Sequence, residues 1–396
     1  MFDLSRREAL RLGAMGLSGL IAGPAVAGCG TSTGTSTATS PGAGTAVPDK
    51  PGIALAPFDS NGQAGPTTGL PRRIAWANTA DIDIFIQLAN GIATAAADTG
   101  LGYLTADADG DPQQNIDQID TFLARGVGGM TIQPLDEAAQ TAVMLKALSQ
   151  GVCVIGIITH PCVLQIAASQ YPIGYKQGKA AAEYITAHLR GKATVFVQNQ
   201  GPISPQLQLR TNGVLAGLKT GGPGITVLNT IVPATAYASI AGTFQYFTTE
   251  LQRQPAIDVV LGDDSFVLGA YRALEQSGTL REEMYLSGVD GDRGSLALIK
   301  QGTPYRASLA FAWPLMGYGM GRFTADWVDG KQVPRIMIAT TTLVDSPAAA
   351  AAFEADNADL AGTFADRSKY EQYLPLLGNV SYAQRHTFWN VDYVPR

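Results

Sequence analysis

The amino-acid sequence predicts an α/β protein built as two similar lobes, each with a parallel β-sheet and flanking helices. From about Arg72 onward, short apolar runs typical of buried strands alternate with segments of helical periodicity, and such alternation indicates parallel βαβ units. The alternation restarts near Gly178, which indicates a second unit of the same kind. The length of this region also suits two domains rather than one.

The stretch 257–294 places acidic residues directly after two predicted buried strands. The first strand, 257–261, ends in Gly262-Asp263-Asp264, and the second, 284–289, ends in Asp290-Gly291-Asp292. Ligands of open parallel sheets bind beyond the carboxyl ends of the strands, so these carboxylates indicate a ligand site. Capping of the intervening helix explains Asp264 equally well, but it does not account for the other acids.

The remaining elements follow the same alternation. In the first lobe the predicted strands are 73–78, 101–105, 129–133 and 152–158, with helices at 84–97, around 116–123 and at 136–149. In the second lobe, helices 178–189, 206–218 and 239–252 separate strands 193–198 and 225–231. Apolar residues make up 46% of the chain, which is sufficient for a core in each lobe.

The N-terminus has the pattern of an export signal. A twin-arginine motif, Ser5-Arg6-Arg7, precedes a glycine-rich, weakly apolar run, and Val26-Ala27-Gly28-Cys29 has the spacing of a lipoprotein cleavage site. A helix that begins a domain is the alternative, but repeated glycines disfavour it. We therefore expect a signal peptide over 1–29 with Cys29 lipidated, and we expect no transmembrane segment after it.

The composition further predicts a tether and a mildly acidic body. Residues 30–70 are rich in Gly, Ser, Thr, Pro and Ala, which bury too little apolar surface to fold, so we expect a flexible tether. The chain has 27 Lys and Arg against 33 Asp and Glu. Without a basic run, this balance disfavours binding to nucleic acid.

Two cysteines follow Cys29, at positions 153 and 162. A single nearby pair in an oxidising compartment predicts a disulfide between Cys153 and Cys162. A turn at Pro161 would bring the chain back toward the strand that contains Cys153. Two buried, unreactive thiols are the alternative.

Four segments resemble the sugar-type periplasmic binding proteins, the ribose- and galactose-binding class that supplies ABC transporters. They are DADGDPQQNIDQIDTFLARGVGGMTIQPLD (107–136), LRTNGVLAGL (209–218), DVVLGDDSFVLGAYRALEQSG (258–278) and YLSGVDGDRGSLALIKQG (285–302). The resemblance implies two Rossmann-like lobes, joined by a three-strand hinge, that close on a ligand. It implies an N-terminal lobe of 71–172 plus 312–340 and a C-terminal lobe of 173–311 plus 341–345. Residues 346–396, a helix and an aromatic tail, exceed the family pattern and are expected to pack on the body, with a partner surface as the alternative.

The resemblance also implies which residues bind the ligand. The matching positions are Asp83 and Phe85 in the first loop, Arg210 in the second lobe, Tyr237 in a loop that often supplies an aromatic, Asp263 and Asp290 at strand ends, and Phe311 at the hinge with Trp313 beside it. Carboxylates and arginine bond hydroxyl groups, and aromatic rings cover the apolar C–H face of a sugar. We expect Arg210 to balance Asp290 at the ligand; a salt bridge that only steadies the lobe is the alternative.

Two departures from the family pattern bear on the ligand. Ile158-Thr159-His160 stand where ribose-type members carry Asp-Arg, and the Asp expected within 172–178 is missing. The site is therefore expected to be less polar than that of a pentose binder, which favours deoxy-sugars, small polyols or a partly apolar ligand. In one interpretation, His160 supplies a hydrogen-bond donor that this chain lacks because it has no Asp-Arg at this position. In the other, His160 is a loop histidine without a ligand role.

Other chemistries have little support in the sequence. Asp107, Asp109 and Asp111 begin like a calcium loop, but Pro112 and Gln118 stand where such a loop needs Gly and Glu. Three histidines and the absence of HExxH and GxSxG patterns disfavour metal-dependent or hydrolytic catalysis. We expect no enzymatic activity, no cofactor, no metal and a monomer.

The sequence thus predicts a lipoprotein on the outer face of the cytoplasmic membrane that captures a sugar or polyol for an ABC permease. A sensory receptor that presents its ligand to a membrane signalling partner is the main alternative. A DNA-binding repressor of this fold needs an N-terminal helix-turn-helix, and this chain has an export signal there. An exported enzyme has the least support.

Overall fold

Two β-sheets organise the part of the chain that the computed structural model describes. The described residues are 57–59, 69–80, 82–133, 135–159, 161–199, 205–233, 236, 239–254 and 256–378. The predicted signal peptide with Cys29, most of the predicted tether, and residues 379–396 of the aromatic tail lie outside them.

The strands were predicted closely in position, apart from those near the hinge and the C-terminus. In chain order they are β1 (Arg73–Asn78), β2 (Gly102–Asp107), β3 (Gly129–Ile132), β4 (Cys153–Ile157), β5 (Leu164–Ala167), β6 (Ala193–Asn199), β7 (Ile225–Ile231), β8 (Val259–Leu261), β9 (Tyr285–Asp290), β10 (Tyr305–Ala310), β11 (Ile336–Ile338), β12 (Thr342–Val344) and β13 (Leu376–Leu377).

The helices alternate with these strands up to the hinge and continue beyond it. They are α1 (Asp83–Thr99), α2 (Pro112–Ala124), α3 (Glu137–Ser149), α4 (Gln170–His188), α5 (Pro205–Leu218), α6 (Ile240–Arg253), α7 (Asp264–Gln276), α8 (Arg293–Lys300), α9 (Trp313–Val328), α10 (Pro347–Ala358), α11 (Leu360–Ala365) and α12 (Arg367–Tyr373). None of the described helices combines the length and the apolar character that a membrane span needs.

Each sheet defines one lobe. The N-terminal lobe contains the sheet β13-β11-β5-β4-β3-β1-β2, and the C-terminal lobe contains the sheet β12-β10-β9-β8-β6-β7. The neighbouring strands pair in parallel except β13 with β11 and β12 with β10. The predicted α/β class with two parallel-dominated sheets is therefore confirmed. The chain passes from one sheet to the other after β5, β10, β11 and β12.

Close approach of helices is permitted by glycine in both lobes. A Cβ at Gly178 of α4 would lie 2.1 Å from the carbonyl oxygen of Val214 in α5. A Cβ at Gly317 of α9 would lie 2.1 Å from the carbonyl oxygen of Leu88 in α1. Gly317 thus permits the close packing of α9 against α1.

The structure does not form the predicted disulfide. Cys153 and Cys162 both belong to the described part of the chain, and no bond joins them. Cys153 is buried in the core on one face of the N-terminal sheet, whereas Cys162 packs against the core on the other face. The thiol of Cys162 instead donates to the carbonyl oxygen of Thr159 (3.4 Å). Cys162 therefore lies on the face of the sheet opposite to the one that Cys153 occupies.

Candidate ligand-binding site

Polar side chains gather at the carboxyl edge of the C-terminal sheet, as the sequence predicted for the strand-end acids. Gln198 lies near the end of β6, Asp263 follows β8, and Asp290 ends β9. Gln198 and Asp263 are joined because the Asp263 amide donates to Gln198 Oε1 (2.7 Å). The parallel pairing of β6, β8 and β9 is what brings these residues to one edge.

Arg210 is held within the C-terminal lobe by two partners. Its Nε donates to Gln170 Oε1 (2.8 Å), and its Nη1 donates to Asp263 Oδ1 (2.5 Å). The side chains of Arg210 and Asp263 are only 13% and 18% exposed, so the ion pair is largely shielded from water. The hydrogen-bonded partner of Arg210 is thus Asp263 and not Asp290.

Asp290 is presented by a strained backbone. Its φ is 120°, in a region that non-glycine residues rarely adopt. Its carbonyl oxygen accepts from Trp313 Nε1 (2.9 Å) and from the Phe311 amide (3.2 Å), which fixes the conformation from the hinge side. Its half-buried carboxylate makes no hydrogen bond within the described part of the chain. Burial, followed by the charge of Asp263, raises its pKa well above the ordinary range, while Arg210 opposes that shift.

Asp264 supports the loop that carries Asp290 and does not cap α7. The residue is fully buried. Its Oδ2 accepts from the Gly291 amide (2.7 Å), the Asp292 amide (2.8 Å) and Ser308 Oγ (2.8 Å), and its Oδ1 accepts from Tyr305 OH (2.6 Å). Burial raises its pKa, and these hydrogen bonds act in the opposite direction. The capping interpretation of Asp264 is therefore wrong.

An ion pair joins the two lobes at this edge. Arg293, the first residue of α8, bonds Asp83, the first residue of α1 in the N-terminal lobe. Asp83 also accepts from Gln87 Nε2 (2.7 Å). Beside this pair, burial and the charge of Asp264 raise the pKa of Asp292 to about 8. The predicted site residue Asp83 thus lies at the lobe interface, with a cation from the other lobe as its partner.

The predicted aromatic residues occupy two different settings. Phe85 is buried in the core of the N-terminal lobe, where its ring contacts the edge of Trp76 at a centroid distance of 6.1 Å. Phe311 is also buried, and its ring lies 5.1 Å from that of Trp313, which is partly exposed. Trp313 is therefore better placed than Phe85 to offer a ring face to a ligand.

The N-terminal lobe contributes buried polar atoms at the carboxyl edge of its sheet. Gln133 follows β3 and Thr159 follows β4; neither Gln133 Oε1 nor Thr159 Oγ1 has a hydrogen-bond partner among the described residues. Buried polar atoms normally find partners, and at this edge a ligand could supply one. The two remaining predicted site residues, His160 and Tyr237, lie outside the described residues.

The acidic loop after β2 has a structural role. Asp111 caps α2 by accepting from the amides of Gln113 (2.9 Å) and Gln114 (3.1 Å). Asp107 Oδ1 accepts from the Asp109 amide (2.9 Å). Within the described chain, no group of three or more His, Cys, Asp or Glu side chains is arranged to hold a metal ion.

Sequence reasoning missed Gln170, Gln198 and Arg293. Arg293 directly follows Asp290-Gly291-Asp292, so the sequence alone could have predicted its position at the same sheet edge. Gln170 and Gln198 gave no such signal, because an isolated glutamine is common on any surface. Their importance arises from three-dimensional proximity to Arg210 and Asp263.

Comparison with known proteins points to one family. A family model described as a periplasmic binding protein domain matches residues 74–332. The ribose import binding protein RbsB of Bacillus subtilis is 24% identical over 270 residues, covering 67% of this chain and 84% of that protein.

Solved structures show the same fold. An ABC transporter solute-binding protein from Bacillus halodurans C-125, with bound myo-inositol, has a TM-score of 0.62 at 18% identity, covering 73% of this chain and 99% of that one. The fructose-binding periplasmic domain of a hybrid two-component system has a TM-score of 0.58 at 22% identity, covering 76% of this chain and 98% of that one.

Proposed function

The chain belongs to the family of periplasmic binding proteins, and we propose that it captures a small sugar or polyol between its two lobes. The observation that carries this proposal is the set of shielded polar groups at the C-terminal sheet edge. Arg210 is locked to Asp263, while the Asp290 carboxylate stands beside them without a hydrogen bond in the described chain. A carboxyl group in this position can form hydrogen bonds with ligand hydroxyl groups.

In this proposal Arg210 and Trp313 make different contacts with the ligand. Arg210 is already oriented by Gln170 and Asp263, so its remaining N–H groups can donate to a ligand oxygen with little loss of side-chain entropy. Trp313 offers a ring face for the C–H side of the ligand. We further propose that the site includes Asp83, Phe85, His160, Tyr237 and Phe311.

Extracytoplasmic location follows from the family, and we propose lipid anchoring through Cys29 after export. In this scheme the protein is a monomer without catalytic activity that delivers its ligand to an ABC permease. The named activity of the Bacillus subtilis relative, ribose import, supports this role. The hinge would close on ligand because the closed form binds it better than the open form does.

A thermal-shift screen of sugars and polyols tests the proposal. A ligand that binds only the native state raises the melting temperature. We expect a neutral sugar, deoxy-sugar or polyol to raise it in a concentration-dependent manner. Stabilisation only by amino acids or other non-hydroxylated solutes would contradict the proposed ligand class, and turnover of a stabilising compound would contradict the absence of catalysis.

A sensory role is the second candidate, because the similar fructose-binding domain belongs to a two-component system. Uptake of the radiolabelled hit distinguishes the two roles. If the protein is a transport component, deletion of its gene should abolish high-affinity uptake of the ligand. Unchanged uptake with lost transcriptional response would favour the sensory role.

A further inference from the structure

The end of the chain adds a structure that the proposed binding function does not use. After β12, the chain forms α10 and then returns to the N-terminal lobe as α11 and α12. Phe364 of α11 contacts Tyr318 and Phe323 of α9, each at a centroid distance of 5.6 Å. Tyr370 of α12 is fully buried, and β13 extends the N-terminal sheet through β11. We call α12 and β13 the clasp.

The clasp holds a short piece of the region predicted as tether. The Phe58 amide donates to the carbonyl oxygen of Leu376 (3.0 Å), and Pro57 forms a bridge with Leu377. The guanidinium of Arg367 lies 5.5 Å from the centre of the Phe58 ring. The same ring meets the edge of Phe323 at 6.3 Å. Pro57 and Phe58 are therefore bound, although the sequence predicted a flexible tether over 30–70.

We propose that the clasp is a docking surface for the end of the tether, so that the tether leaves the body from the N-terminal lobe. This rests on the proposed function insofar as the tether leads to a lipid anchor and the lobes move. Three kinds of contact act on one residue: a backbone hydrogen bond, a cation over the ring, and an aromatic edge contact. Together these contacts hold Phe58 in one position, whereas a residue of a flexible glycine- and serine-rich linker would have no fixed position.

The chain just after the predicted tether is fixed to the same lobe. Arg72 bonds the carbonyl oxygen of Thr99 (2.9 Å) and forms an ion pair with Asp329 at the end of α9. The chain therefore contacts the N-terminal lobe at Phe58, near the end of the predicted tether, and again at Arg72, just before β1. Tension on the tether would therefore act first on the N-terminal lobe.

Hydrogen exchange of the Phe58 amide tests the clasp in the full exported chain, and it requires neither ligand nor membrane. We expect the peptide that contains Phe58 to exchange at least tenfold more slowly than an unstructured peptide of the same sequence. Arg367→Ala and Phe58→Ala should each remove most of this protection, because each deletes the contact between the cation and the ring.

Glu371→Ala is the matched control. Glu371 bonds Arg367 within α12, so its loss removes a surface ion pair and leaves Arg367 over Phe58. We expect this variant to retain the wild-type protection. Exchange of Phe58 at the unstructured rate in the wild type would overturn the proposal, as would equal protection in all four proteins. Because ligand binding is not measured, either result leaves the proposed capture of a sugar or polyol to its own test.

Discussion

Asp264 and Asp290 stand at the ends of neighbouring strands, yet their carboxylates have opposite surroundings. Asp264 is fully buried and accepts four hydrogen bonds from its own lobe. Asp290 is half-buried and makes none in the described chain. The first side chain stabilises the turn at Gly291 and Asp292, and this turn presents the second. A rigid support beneath an open carboxylate is the arrangement that preorganised binding requires.

The acids at this edge predict an unusual dependence of stability on pH. The pKa of Asp292 is raised from 3.8 to about 8, mainly by burial, and burial also raises the pKa values of Asp264 and Asp290. The folded chain therefore binds more protons than the unfolded chain between about pH 4 and pH 8. Stability of the ligand-free protein should fall as pH rises through this window.

Urea unfolding at pH 5 and pH 8 checks this expectation. The midpoint should be lower at pH 8, and Asp292→Asn should reduce the difference because it removes a titrating group. Asp120→Asn, at an exposed surface ion pair with Lys146, is the control and should keep the wild-type pH dependence. A wild-type midpoint that rises from pH 5 to pH 8 would contradict the proposed environment of these acids.

Residue types at the site were predictable, but their orientation was not. The strand-end positions of Asp263 and Asp290 follow from the alternation of apolar runs and turns. That Asp264 turns inward and Phe85 packs on Trp76 depends on which side of each helix meets the sheet. The partner of Asp83 lies 210 positions away in the sequence, so no local pattern could identify it.

At the scale of elements, the hinge region departs most from the predicted structure. Helix α4 begins at Gln170, whereas the predicted helix begins at Gly178, and the short strand β5 was not predicted. Pro172 lies in the first turn of α4, where proline is tolerated. Four residues of β5 give too short an apolar run to separate from the surrounding turns. Strands flanked by clear turns, such as β1 and β7, agree with their predicted bounds.

The contact between α4 and α5 depends on glycine at the crossing point. In Gly178→Ala the new methyl group would meet the carbonyl oxygen of Val214 at 2.1 Å, and neither helix backbone can yield locally. We expect the free energy of unfolding to fall by roughly 1–3 kcal/mol, the range for overpacking, as measured by urea titration.

Gly294→Ala in α8 is the matched control for this substitution. The nearest atom to its Cβ is the end of the Leu268 side chain at 3.2 Å, which can move, and alanine favours a helix over glycine. Its unfolding free energy should stay within about 1 kcal/mol of the wild type. Equal losses in the two variants would show that close helix approach is not the cause.

At the scale of the whole molecule, the two-lobe architecture was predictable because it repeats one pattern twice. The sheets, their parallel pairing and the strand-end acids follow from hydrophobic periodicity and the family resemblance. The return of the C-terminal segment to the N-terminal lobe did not follow, since its pairing of β13 with β11 joins residues far apart in sequence. The binding of Pro57 and Phe58 to this segment could not be predicted for the same reason.

We propose that Asp290 binds ligand while Asp264 and the hinge hold it in place. The most direct measurement is isothermal titration calorimetry of the wild type and Asp290→Ala with the sugar or polyol that stabilises the protein most in the thermal screen. Loss of a shielded hydrogen-bond partner should weaken binding by roughly 2 kcal/mol or more, about 30-fold in Kd, with the melting temperature of the ligand-free variant little changed. Unchanged affinity together with a lowered melting temperature would instead assign Asp290 a purely structural role.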